Sequence, residues 1–200
     1  MPTPIGHAVL GLVIAKSIKP DSERTMAFWL LFSVIAANAA DLDFVPGLIL
    51  GDINLFHQGP SHSIIAALLF GLVSVCVAPL LKESRRKVAL LGSVAYLSHL
   101  LLDMFGHDAR EPIGLPLAWP ISDMHWHIFP VLSGVRHGAP GDSLDIFLQE
   151  VFSVHNLISV LKEIVIILPI FVIVWYVTLV RKKGTKKRAR RLTSFENDKT

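Results

Sequence analysis

The sequence predicts an all-α fold: an integral membrane helical bundle of four or five helices with a partly helical extracytoplasmic cap. Three observations carry this. Of 200 residues, 52% are hydrophobic and only 18% charged, with mean hydropathy +0.54, against about 25% charged residues in an ordinary soluble domain. Residues 63–81 (SIIAALLFGLVSVCVAPLL) run for 19 positions without a charge, roughly the length needed to cross a 30 Å hydrocarbon layer. Basic residues gather between and after the apolar runs rather than inside them.

In chain order, residues 5–18 form a short apolar helix closed by Lys16, with Thr3 as N-cap and Pro4 at the first helical position. Residues 25–40 are an uncharged run of 16, and residues 88–102 are apolar apart from His99; both span if tilted neighbours or interface residues extend them. Residues 164–180 (IVIILPIFVIVWYVTLV) place Trp175 and Tyr176 before a basic tail, the order of a membrane exit. Pro169 is expected to kink that helix. Residues 1–180 thus form the membrane-embedded unit, with 104–163 as its cap, and 181–200 a basic cytoplasmic tail. Cys76, the single cysteine, excludes an internal disulfide framework and reads as a small buried hydrophobe.

Charge gives the orientation. Residues 181–191 (RKKGTKKRARR) hold eight of the 19 basic residues. The basic pI of about 9.1 therefore comes from a tail that follows an apolar helix, with no aromatic interleaving and no nucleic-acid recognition fold. The expected partner is a lipid bilayer, not nucleic acid. With residues 82–87 (KESRRK) and the tail on the cytoplasmic side, threading the spans places 16–24 inside as well. That loop was not needed to set the orientation, yet it carries Lys16, Lys19 and Arg24.

On this threading His7, Asp41, Asp43, His57, His62, His99 and Asp103 all fall at the outer membrane face. Ionisable groups at membrane depth are costly and mark function by default. His99 and Asp103 stand one helical turn apart on one face, a spacing that chelates an ion or makes a simple hydrogen bond. Asp41 and Asp43 sit at a helix end whose dipole already disfavours carboxylates unless a cation offsets them. His57 and His62 flank a Gly-Pro turn, with Ser61 as the expected cap of the next helix. Four imidazoles and three carboxylates without a thiolate suit Zn²⁺, Mn²⁺ or Fe²⁺. Seven donors exceed one structural zinc and match two divalent ions sharing a carboxylate.

These residues carry a resemblance. The order His7, Asp41-x-Asp43, His57-x-Gly-Pro-x-His62-Ser63, Ser98-His99-x-x-x-Asp103 and Gly114-x-Pro116-Leu117-x-Trp119-Pro120 resembles the LexA-regulated, inner-membrane metal-dependent hydrolase family over residues 1–130. Gln58 and Ser61 depart from that family's usual Arg and Thr. The resemblance implies a membrane-embedded hydrolase whose His and Asp residues bind metal.

The expected activity is hydrolysis of a phosphoester or other ester, in an amphiphilic or lipid substrate, by a metal-activated water. Asp41 or Asp43 bridges ions or serves as base. The cap is expected to supply Arg110, His125 and Arg136 for substrate binding and a helix within 142–154, while residues 115–120 (LPLAWP) lean on the membrane interface. The alternative is a divalent-metal transporter or sensor without hydrolysis; a scaffold with interfacial histidines is a third reading.

Overall fold

The protein is described here from a computed structural model, which describes residues 1–18, 20–21, 25–107, 111–169, 172–173 and 175–177. Arg110, residues 170–171, 174 and 178–180 of the predicted exit helix and the basic tail lie outside the described residues. The described residues form helices and loops, with two isolated bridges (Gly106 with Leu132, Leu115 with Trp126) in place of strands.

Helix α1 (Pro4–Ser17) starts as its sequence predicts: the Thr3 hydroxyl accepts the Gly6 amide at 3.2 Å, and Pro4 occupies the first turn. Helix α2 (Met26–Ala37) contributes Trp29, fully buried, whose indole N–H donates to the carbonyls of Ile18 (2.6 Å) and Ala15 (3.2 Å). That satisfies carbonyls orphaned at the end of α1. A 3-10 turn (Ala39–Asp43) then redirects the chain into α3 (Phe44–Leu50), with a 57° bend.

The next turn corrects one expectation. Pro60–His62 forms a 3-10 turn, which delays the following helix, α4 (Ile64–Ser74), by two residues. Ser63 is therefore its cap, accepting the Ala66 amide at 3.1 Å, and Ser61 is free to bond elsewhere. Helix α4 continues through a 3-10 turn (Val75–Val77) into α5 (Ala78–Leu81). Helix α6 (Arg85–Asp103), capped by Ser84, runs through the centre and packs against α1, α2 and α4. The cap adds α7 (Leu144–Val151), inside the expected 142–154 window, and leads into α8 (Val154–Pro169) at a 46° bend.

Small residues let the helices approach closely, the usual device in membranes. A Cβ on Gly11 of α1 would lie 2.8 Å from the Ser33 carbonyl of α2, and one on Gly92 of α6 would lie 2.6 Å from the Ser74 hydroxyl of α4. One core cluster (Ala15, Trp29, Ala78, Leu81, Val88, Leu91) fills one end of the bundle. A second (Ala39, Ala40, Ala67, Tyr96, Leu100, Leu115) fills the other.

Among the described residues, Ile64–Leu81 is one helix of 18 residues with mean hydropathy 2.7, long and apolar enough to cross a membrane; counting each bent pair, Met26–Leu50 and Leu144–Pro169, as one span gives up to 3. The described residues thus carry fewer candidate spans than the four or five predicted, and the predicted exit span lies partly outside them. Helix α1 has only 14 residues, and α6 carries three bases in its first turn and His99 and Asp103 in its last. Helix α4 leaves Leu68, Leu69, Leu72 and Val73 exposed, the surface of a lipid-facing helix. Cys76 is exposed on the same segment, not buried as predicted: the run 63–81 is apolar all round, so periodicity does not say which face packs.

The loops after α1 and α5 meet. The Asp21 amide donates to Glu83 Oε1 at 2.6 Å, and Lys87 pairs with both Asp21 and Glu83. The segments predicted to share one side of the membrane therefore share one end of the bundle, and Asp103 ends α6 at the opposite end.

Candidate metal centre

Four segments deliver the predicted donors to that opposite end. His7 lies in the first turn of α1, one turn after its cap. The bend after α2 aims Asp41 inward. Tyr96 pins the 57–62 loop by donating from its hydroxyl to the Ser61 carbonyl at 2.7 Å. His99 and Asp103 occupy the last turn of α6 on one face, as their spacing predicts.

Five donors converge. Asp103 Oδ2 lies 3.2 Å from His99 Nε2 and 3.5 Å from His62 Nε2, and its Oδ1 lies 3.3 Å from His7 Nε2. Asp41 Oδ1 lies 3.4 Å from His99 Nε2 and 3.7 Å from His62 Nε2. His7, His62 and His99 are fully buried, and Asp103 is 6% exposed. None of these six atoms makes a hydrogen bond.

The spacing separates two explanations. A direct imidazole–carboxylate hydrogen bond is about 2.7–2.9 Å long. Ligands about 2.0–2.1 Å from one tetrahedral ion are roughly 3.3–3.4 Å from each other, since the tetrahedron's edge is about 1.63 times its radius. The observed 3.2–3.7 Å is the second pattern. Buried polar atoms left without partners normally cost stability; nitrogen and carboxylate donors facing a common point would recover that cost by holding a divalent cation. These residues fit a metal.

The outer bonds present the inner atoms. His99 Nδ1–H donates to the Ala37 carbonyl at 2.8 Å, which leaves Nε2 as the free lone pair. His62 Nδ1 faces Ser61 Oγ at 3.0 Å and Asp43 Oδ2 at 3.2 Å. Asp43 itself is saturated: Oδ1 takes His57 Nδ1–H at 2.9 Å, while Oδ2 takes the Ser61 hydroxyl at 2.6 Å and the Gln58 amide at 3.2 Å. Asp43 is thus predicted as a ligand but placed behind one. The Gln58 backbone takes a left-handed conformation (φ 60°) to make its bond.

His57 stands at the edge of the centre. Its ring stacks on Phe44 at 3.9 Å, its Nε2 touches the Met1 sulfur, and one donor atom each of Asp41, His57 and His62 lies within 4.8 Å of the others. Burial holds the His57 imidazole below its ordinary pKa despite the Asp43 carboxylate. For His62 burial acts the same way, but the carboxylates of Asp103, Asp41 and Asp43 outweigh it and hold the ring well above the ordinary value.

Two cavities adjoin the centre. A smaller one of about 200 Å³ has Asp103 in its wall with Gln58, His107, His127 and apolar Ile113, Leu115, Ile128 and Pro130. A larger one of about 760 Å³ shares Gln58 and His107 with it and adds Arg136, His137, Glu150 and His155. The wall at 134–139 has no regular structure yet is tied down. Asn156 bonds the Arg136 backbone on both sides (2.8 and 2.7 Å), His155 bonds the Gly134 carbonyl (2.8 Å), and Asn54 bonds the carbonyls of His137 and Ala139 (3.0 and 3.3 Å).

Of the predicted substrate contacts, Arg136 lines the larger cavity, whereas His125 lines neither and bonds the Asp123 carbonyl within its own turn. Sequence reading missed the roles of Tyr96, Ser61, Asn54 and Asn156. Uncharged polar residues give no signal until the loops they brace are in place.

Residues 1–184 match the family of YdjM inner membrane proteins. The chain belongs to the YdjM inner membrane protein family. No curated protein and no solved structure matches it. Membership makes this YdjM-family chain an inner membrane protein, in agreement with its lipid-facing α4.

Proposed function

We propose that this YdjM-family protein is a membrane-bound, metal-dependent hydrolase acting on a phosphoester or other ester of an amphiphilic substrate. One observation carries the reading: the donor set is not sealed, since the Asp41 side chain keeps 13% exposure and Asp103 lies in the wall of an adjoining cavity. Structural metal sites are closed, whereas catalytic ones keep a position for water or substrate. A transporter needs donors strung through the bilayer depth, and here they gather at one end.

His7, His62, His99, Asp41 and Asp103 hold the metal, with Zn²⁺, Mn²⁺ and Fe²⁺ as the ions their chemistry suits. The Asp41, His57 and His62 donors are the place for a second ion, if two are used. A divalent ion supplies Lewis acidity toward an ester oxygen and acidifies water.

The chain's own residues do the rest. Asp43 fixes His62 and His57 through their Nδ1 atoms. Asp41, whose side chain keeps 13% exposure where Asp103 has none, is the better placed of the two predicted catalytic carboxylates to accept a proton from water. Arg136 binds an anionic group of the substrate in the larger cavity. The apolar wall of the smaller cavity takes the lipid-like part, near an exposed rim of Trp126 and Phe129 that suits the membrane interface. With the basic loops at the other end, the positive-inside rule puts this centre on the extracytoplasmic side.

The test is an assay of purified, metal-reconstituted protein on p-nitrophenyl phosphate, bis-p-nitrophenyl phosphate and p-nitrophenyl butyrate. Metal-dependent release that disappears in Asp103→Ala is expected. Stoichiometric metal binding with no turnover, joined to His99-dependent Zn²⁺ uptake into proteoliposomes, would replace hydrolysis with transport.

A further inference from the structure

Helix α8 looks like a plain membrane anchor, but Glu163 within it is only 1% exposed. A carboxylate in an apolar helix is costly unless it is fully bonded. Both Glu163 oxygens turn to one residue. The Thr3 amide donates to Oε1 at 2.8 Å and Oε2 at 3.0 Å, and the Thr3 hydroxyl donates to Oε2 in a very short contact.

Thr3 is meanwhile the start of α1. Its hydroxyl accepts the Gly6 amide and its carbonyl accepts the His7 amide at 3.2 Å. Gly6 leaves room for the clamp: a Cβ there would lie 2.6 Å from Glu163 Oε2 and 3.5 Å from Ile167, one turn further along α8. The face of α8 therefore lies directly over the first turn of α1.

His7 needs that support. His62 and His99 are each oriented by a bond at Nδ1. Neither nitrogen of His7 makes a hydrogen bond; the ring stacks on His99 at 3.8 Å. Its direction rests on that stacking and on the backbone of α1's first turn, and Glu163 is what holds that turn.

We propose that Glu163 is a positioning residue for His7, so that α8 is a working part of the metal centre and not only an anchor. This rests on the reading of the cluster as a metal site. It makes Glu163 the third-turn counterpart of the Asp43 and Ala37 bonds, acting through Thr3 and the helix backbone instead of through the ring.

The experiment titrates the full chain in detergent with Co²⁺ alone, following the visible d–d absorption, with thermal melting of the metal-free protein alongside. Outer-shell partners of metal ligands are worth about 10–100-fold in affinity. Glu163→Gln and Thr3→Val are expected to weaken Co²⁺ binding about tenfold or more and to change the absorption, while Thr3→Ser, which keeps the hydroxyl, retains the parent spectrum. A Glu163→Gln or Thr3→Val protein that melts lower but binds Co²⁺ with the parent affinity and spectrum would overturn the proposal, reducing the clamp to helix docking. If Glu163→Gln does not fold, the Thr3→Val and Thr3→Ser pair decides alone. A parent that takes up no Co²⁺ overturns this proposal and the metal-site reading together. A parent that binds Co²⁺ with the expected variant effects but hydrolyses nothing leaves Glu163 its role and removes only the hydrolase.

Discussion

Asp103 is the strongest lever on the centre, because its two oxygens face three imidazoles at 3.2, 3.3 and 3.5 Å. In Asp103→Asn the size is kept and a charged ligand is lost. Apparent binding free energies of about 10–16 kcal/mol for a four-ligand zinc site correspond to roughly 2.5–4 kcal/mol per ligand, or about two to three decades in affinity. At a Zn²⁺ concentration about a thousandfold above the parent Kd, the ion stabilises the fold by about 4 kcal/mol. A variant a thousandfold weaker gains only about 0.4 kcal/mol from the same concentration. At about 2–4 °C per kcal/mol for a chain of this size, the parent melting temperature should rise by about 8–16 °C with metal and the variant's by under about 2 °C. The metal-free Asp103→Asn protein loses a carboxylate that faces three imidazoles and should melt lower than the metal-free parent, so each protein's metal-induced rise is read against its own metal-free midpoint. Differential scanning calorimetry with and without Zn²⁺, beside metal analysis of the same samples, reads this directly. An Asp103→Asn protein with the parent's metal-induced rise would refute the argument that this carboxylate is a ligand.

Metal uptake should weaken as pH falls, because the His62 ring, held protonated above its ordinary 6.5 by three carboxylates, must lose that proton to bind. Calorimetric titration in two buffers of different ionisation enthalpy should show proton release, with affinity falling about tenfold per pH unit per proton displaced. In the metal-free protein the same pairing stabilises the fold fully below pH 6.5, and that contribution is lost as pH rises through the raised value. Gly92→Val should destabilise by about 1–3 kcal/mol by forcing α6 from Ser74, seen as a lower melting temperature with metal stoichiometry unchanged. Arg136→Ala should raise KM for an anionic ester and leave Co²⁺ affinity at the parent value, measured by steady-state kinetics beside metal titration.

The donors were legible because chemistry-bearing side chains are conspicuous against apolar runs. His99 and Asp103 needed only the 3.6-residue period, and the shared end followed from charge counting along the loops. The division between inner and outer donors was not legible. Asp41 and Asp43 differ by two positions in a stretch that reads as a loop, and only the 3-10 geometry of Ala39–Asp43 sends one to the centre and the other to the back of His62. Ser61 and Ser63 were exchanged for the same reason: a 3-10 turn before a helix moves the cap without changing composition. Glu163 was invisible for a different reason. Measured by hydropathy, residues 164–180 begin one position after it, so it reads as a flanking charge; its burial depends on α8 crossing the start of α1, where its partner Thr3 lies 160 residues away along the chain.

The two ends of the bundle also answer to different demands. At the end with the basic loops, a tryptophan and five aliphatic or small residues close a packed cluster, and the α1 carbonyls find a partner in Trp29. At the other end, three buried imidazoles and two carboxylates turn six inner atoms toward one another without a hydrogen bond, an arrangement packing alone does not favour. Natural sequences tolerate such local conflict where function requires it. The apolar cluster keeps the helices together whether or not the donors are occupied. That is the physical ground for expecting metal-free protein and ligand variants to stay folded, and for reading any loss in them as a loss at the centre.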